Sequence, residues 1–195
     1  MRYLFLILFT VSLNAQILPS QQATHYKKNS VPSDTWDSST KASCITLSNS
    51  NLTSLESNCT RWNNVYGSTG VSSGIKEWEI TIDAWDDTSN YYDVMIGVSK
   101  LRTQNPVTAV GNGSYCYILQ NGQKFIMTSS YSASNYGASY GEGDVIKISL
   151  NMDTNQITFY KNGVSQGVAF TVSNGTYYLV ASYYADTNAQ ITITG

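Results

Sequence analysis

Two short runs of alternating side chains, residues 156–161 and 164–170, are separated only by Asn162-Gly163. In the first run Ile157 and Phe159 fall on one side and Thr158 and Tyr160 on the other, as a pleated strand requires. Asn-Gly adopts the positive φ angles of a type I′ turn at low cost, so the pair reads as a β-hairpin. The same grammar recurs along the chain. Residues 76–83 put Trp78, Ile80 and Ile82 on one face and Glu77, Glu79, Thr81 and Asp83 on the other. Residues 92–99 carry Val94, Ile96 and Val98 in phase, and residues 114–119 and 123–128 flank Gln120-Asn121-Gly122. Residues 145–150, 177–183 and 190–194 complete the set of predicted strands. No segment sustains a helical period, and many strands without crossover helices predict an all-β fold, an antiparallel two-sheet β-sandwich.

The sandwich is expected over residues 36–195 as one domain. Ahead of it, Met1-Arg2 opens an apolar run that ends in Leu13-Asn14-Ala15. That run is too short to cross a bilayer, which takes roughly 20 apolar residues. A basic start, an apolar centre and a small residue at the end predict a signal peptide over residues 1–15. Residues 16–35, polar and containing the one histidine, His25, read as a leader or linker. The expected product is secreted or extracellular, with no membrane insertion after cleavage. Export would place the cysteines in an oxidising compartment. Cys44 and Cys59 enclose fourteen residues and could form a disulfide, although spacing alone leaves three free thiols equally open. Cys116, between Tyr115 and Tyr117, reads as a small buried residue.

Composition excludes more than it names. Charged residues make up 12% of the chain, against about 25% in an average soluble protein. Eleven Lys and Arg against thirteen Asp and Glu give a net charge of −2. No basic patch suits nucleic acid. With its only imidazole in the leader, the chain has no base for Ser-His-Asp or Cys-His catalysis, and no Cys or His spacing fits zinc. Glu77, Glu79 and Asp83 share a face on which paired carboxylates could attack a glycosidic bond. The ordinary outer face of a strand explains them better. Asp86-Asp87 and Asp153-x-Asn155 offer too few oxygens for Ca²⁺ and read as turn initiators. No enzyme activity, cofactor or metal is therefore expected.

Several segments, taken in order, resemble SPRY domains. Gly70-Val71-Ser72-Ser73-Gly74 leads into Glu77-Trp78-Glu79-Ile80, like the family's small-residue turn and aromatic-Glu-aliphatic strand. Ile96-Gly97-Val98-Ser99 follows, then Ser114-Tyr115-Cys116-Tyr117 with Gly122-Gln123-Lys124. Tyr140-Gly141-Glu142-Gly143-Asp144-Val145-Ile146 and the Phe159-Tyr160-Lys161-Asn162-Gly163 hairpin complete the match. Ile45-Thr46-Leu47-Ser48 is similar to the family's early strand.

The resemblance implies a concanavalin-like bent jelly roll. It also implies a non-enzymatic module that binds a peptide or protein surface through loops gathered at one end. It points to Pro106 and Ala109 in one loop and to Tyr183 and Tyr184 after the penultimate strand. Tyr91, Tyr131, Tyr136 and Tyr140 lie near predicted loops, where tyrosine supplies rigid contact area at low entropy cost. The candidate ligand-binding set is thus Pro106, Ala109, Tyr91, Tyr131, Tyr136, Tyr183 and Tyr184. The alternative reading is a lectin-like module binding glycan on a similar sandwich.

Overall fold

A computed structural model describes residues 34–86, 94–102, 113–118, 121–127, 131–185 and 188–195. The strands, in chain order, are β1 (Ile45–Ser48), β2 (Thr53–Glu56), β3 (Asn63–Tyr66), β4 (Ile75–Ala84) and β5 (Val94–Ser99). They continue with β6 (Ser114–Ile118), β7 (Gln123–Met127), β8 (Tyr131–Asn135) and β9 (Val145–Asn151). The last four are β10 (Gln156–Lys161), β11 (Val164–Thr171), β12 (Tyr178–Tyr183) and β13 (Gln190–Ile193). They form a seven-stranded sheet, ordered β1-β2-β13-β4-β9-β10-β11, and a six-stranded sheet, ordered β3-β12-β5-β6-β7-β8. Strand pairs are antiparallel throughout. The architecture is the two-sheet sandwich that the alternation predicted.

The core lies between the sheets and follows the period of two. Trp78, Ile80 and Ile82 from β4, Ile146, Ile148 and Leu150 from β9, and Ile157 and Phe159 from β10 are completely buried. Facing them are Val94, Ile96 and Val98 of β5, Tyr117 of β6, and Leu179, Ala181 and Tyr183 of β12. Asn162 and Gly163 both take positive φ, 49° and 80°, as the hairpin reading requires. Asn162 also accepts a bond from Val145 N and donates one to Asp144, tying the turn to the start of β9.

The six-stranded sheet buries its other face as well. Tyr66, Met95, Cys116, Phe125 and Val180 form a second apolar cluster there, with Trp62 and Ala133 packed against it. Every residue of β5 is buried, so this strand has no solvent face. Gly97 pairs with Cys116. A Cβ at 97 would stand 2.0 Å from Tyr115 O and 2.7 Å from the Cys116 Cα, so only glycine fits. The absent side chain leaves room for the Cys116 thiol, and burial pushes that thiol well above its usual pKa.

Two further features tie down the early part of the domain. Asp34, two residues ahead of the expected start, is buried inside the fold. Its carboxylate accepts bonds from Trp78 Nε1 (2.9 Å), Thr69 N (3.0 Å) and Ser68 Oγ (2.7 Å). A disulfide joins Cys44, ahead of β1, to Cys59, beyond β2, with the Cα atoms 5.4 Å apart.

Candidate functional site

Strand register sorts the connections into two opposite ends. Tyr183 pairs with Val94 at one end of the six-stranded sheet, and Tyr178 pairs with Ser99 at the other. Ser99 pairs with Ser114, Ser114 with Met127, and Met127 with Tyr131, so all four mark the second end. β3 and β5 therefore begin, and β12 ends, at the Tyr183 end. β5 and β7 end, and β6 and β8 begin, at the Ser99 end.

This division separates the predicted residues. Pro106 and Ala109 belong to the β5–β6 connection, and Tyr91 to the β4–β5 connection; these three, and the Tyr131 side chain, lie outside the described residues. Tyr131 opens β8 at the Ser99 end, and Tyr184 follows Tyr183 at the other. Of the seven, the register places Tyr131 and Tyr183 at opposite ends of the six-stranded sheet.

Three tyrosines expected near ligand loops hold the fold together. Tyr183 has no exposed surface, and its hydroxyl is hydrogen-bonded to Ser54 Oγ at 2.5 Å. Burial raises its pKa. The reason is parity: Leu179 and Ala181 point inward, so Tyr183 does too. Tyr136 bridges the edges of the two sheets. Its hydroxyl donates to Gly167 O (2.5 Å) and accepts from Phe159 N (3.3 Å). Its ring meets Tyr117 edge-on, with centroids 5.4 Å apart. Tyr140 is buried and donates to Tyr117 O (2.8 Å). Burial pushes the Tyr117 phenol up to about 12.

Tyr184 has the opposite fate. One residue past Tyr183, it is 36% exposed, and its ring lies 5.1 Å from that of Trp62 at an interplanar angle of 57°. Trp62 is half-buried, resting on the outer cluster of the six-stranded sheet. Asn63 and Tyr183 are register partners, which brings the flanking Trp62 and Tyr184 side by side. Local bonds shape this corner. Asn63 Nδ2 donates to Arg61 O (2.7 Å) at the entry to β3, and Cys59 N donates to Glu56 Oε1 (2.8 Å). Arg61 is exposed beside the pair, and at the same end exposed Asn188 donates to Asp86 (3.0 Å). Trp62 was not anticipated from the sequence; it lies in a polar stretch with no alternation to mark it.

Of the carboxylates weighed for glycoside chemistry, Glu77 and Asp83 are engaged in structural contacts, and so is Asp153, weighed for Ca²⁺. Lys147 Nζ lies 3.2 Å from Glu77 and also covers the Tyr160 ring at 4.4 Å. Asp83 accepts from Thr192 Oγ1 at 2.5 Å. Asp153 accepts from Gly74 N at 3.3 Å. Among the described residues, no three His, Cys, Asp or Glu side chains are grouped to hold a metal.

The other end carries a polar cluster. Arg102 pairs with Asp37 and lies over the Tyr178 ring at 4.6 Å. Hydrogen bonds from Ser39, outweighing the opposing effect of burial, and the neighbouring Arg102 hold the Asp37 carboxyl below its usual range.

Comparison with known structures agrees with this architecture. The SPRY domain of human HERC1 superposes with a TM-score of 0.63 at 22% identity, covering 82% of this chain and 96% of that one. The TRIM65 PSpry domain gives a TM-score of 0.61 at 13% identity, covering 83% and 92%. A further human SPRY domain gives 0.55 at 13%, covering 77% and 94%. Domains of this kind are generally protein–protein interaction modules, typically without catalysis. Residues 76–195 match the family model of the SPRY domain, and the chain belongs to that family.

Proposed function

We propose that this domain is exported and binds a short peptide or protein surface at the Trp62–Tyr184 corner. The carrying observation is an aromatic pair, Tyr184 exposed and Trp62 half-buried on an apolar cluster, placed at the sheet end where β3 begins and β12 stops. Large aromatic side chains with one polar tip are enriched among residues that dominate binding energy. The cluster beneath holds Trp62 in place, so little side-chain freedom is lost when a ligand covers it. The Cys44–Cys59 bond supports export, since disulfides persist in oxidising compartments.

The test starts with peptides selected from a displayed random library on the purified chain. Trp62→Ala and Tyr184→Ala should each weaken a selected peptide by about tenfold or more, in line with interface anchors. Peptides that bind both variants as tightly as the parent would place recognition elsewhere. A glycan array probed in parallel separates this reading from a lectin-like one.

A further inference from the structure

We infer that the Cys44–Cys59 disulfide holds Trp62 against Tyr184, so that reducing it weakens binding at this corner while the sandwich stays folded. The inference rests on reading the aromatic pair as the binding site. Residues 57–62 form the β2–β3 connection and carry both Cys59 and Trp62. Most of the hydrogen bonds in this stretch are local. Cys59 N reaches Glu56, Asn58 Nδ2 reaches Ser57 Oγ (2.9 Å), and Asn63 reaches back to Arg61 O. Among the described residues, the ties of this stretch to a different part of the fold are the Trp62 ring on the outer cluster, the disulfide and the Ser57 N to Cys44 O bond (3.2 Å), the last two both ending at Cys44. Tyr184 is placed independently, by β12 between its neighbours β3 and β5. Tyr184 thus follows a strand paired on both sides, whereas Trp62, its ring resting on the outer cluster, ends the connection that the disulfide ties down.

The surrounding fold has its own anchors. β2 pairs with β13, reinforced by Thr53 to Thr192 at 2.8 Å and Ser54 to Tyr183 at 2.5 Å. Neither contact involves the sulfurs.

The chemistry has a defined direction. Cys44 is half-buried whereas Cys59 is 3% exposed. A dithiol reductant attacks through its thiolate at Cys44 Sγ, the S–S bond breaks, and Cys59 leaves as a thiolate and takes a proton. The second thiol of the reagent then attacks the mixed disulfide and releases the Cys44 thiolate, which is protonated in turn. The reagent becomes a cyclic disulfide. Two electrons and two protons pass to the protein, and two thiols result. Cys116 is buried on the outer face of the other sheet and takes no part.

Indole N–H signals of the four tryptophans report the outcome without any ligand. Trp62 is assigned with Trp62→Phe, and spectra are taken before and after complete reduction by dithiothreitol. The expected result is a shifted or broadened Trp62 signal with unchanged Trp36 and Trp78, and a selected peptide losing affinity about tenfold. A Cys44→Ser/Cys59→Ser double variant should match the reduced protein and ignore the dithiol. An unchanged Trp62 signal after full reduction would overturn the inference. So would loss of dispersion in all four signals, which would mean general unfolding. Absence of any Trp62-dependent peptide would instead overturn the binding-site reading, and the indole spectrum would still decide the lock.

Discussion

Tyr183 and Tyr184 are adjacent, chemically identical and opposite in role. Strand parity turns the first inward to Ser54 and leaves the second beside Trp62. Tyr183→Ala should cost about 3–5 kcal/mol in denaturant unfolding, the range for truncating a buried aromatic. Tyr184→Ala should stay within about 0.5 kcal/mol of the parent. Asp34 is a second case. Asp34→Ala strands the Trp78 indole N–H and the Thr69 amide, and should cost about 2 kcal/mol or more. Among the described residues, two carboxylates contribute to the acid limb of stability. Burial raises the Asp144 pKa, but bonds from Asn162, Gly141 and Lys161 outweigh it, so the net shift is downward. Asp37 is also lowered. A folded pKa below the unfolded value gives stability that is complete above the unfolded value, near 4, and is lost as pH falls through the folded one. Midpoints measured from pH 6 downward should hold until about pH 4 and then drop. Asp144→Asn should flatten that drop.

Legibility varies from strand to strand for a physical reason. Strands with one face on the core, such as β4, β9 and β10, carry strict alternation and were predicted within a residue or two of their observed limits. β2 (TSLE), β3 (NNVY) and β8 (YSASN) show no alternation and escaped the sequence reading. β2 and β3 are buried largely through polar residues, a property of the assembled sheets and not of the local sequence. Trp62 was missed for the same reason, because it abuts one of these strands. Gly97 shows the reverse. Its place in the Ile-Gly-Val-Ser segment was visible, but its reason, the close approach of the β6 backbone, is visible only in the sheet. Gly97→Ala should destabilise by about 1–3 kcal/mol as an overpacked site. The hairpin clamp makes its own prediction. Replacing both Cys44 and Cys59 by Ser should lower unfolding stability by about 3 kcal/mol, the loop-closure value for a ring of this length, with the denaturant slope little changed.

At the scale of the whole molecule, the low charge predicted early fits the proposed mode of recognition. An aromatic corner with few charges should bind with little dependence on ionic strength. A selected peptide should keep its affinity within about threefold between 50 mM and 500 mM salt, and a steep fall would indicate charge steering instead. The sandwich itself could be read from the sequence. The grouping of its loops could not, because chain order says nothing about which end of a sheet a connection occupies until the register is known. The six residues of β5 separate the two ends by about 20 Å at the usual rise per residue. Free-energy effects of substitutions more than about 10 Å apart with no shared partner usually add. A double-mutant cycle between Trp62 and Arg102, measured on stability, should therefore close with a coupling energy near zero. The domain then offers two addresses that evolution or an engineer can alter one at a time, each change leaving the other end as it was.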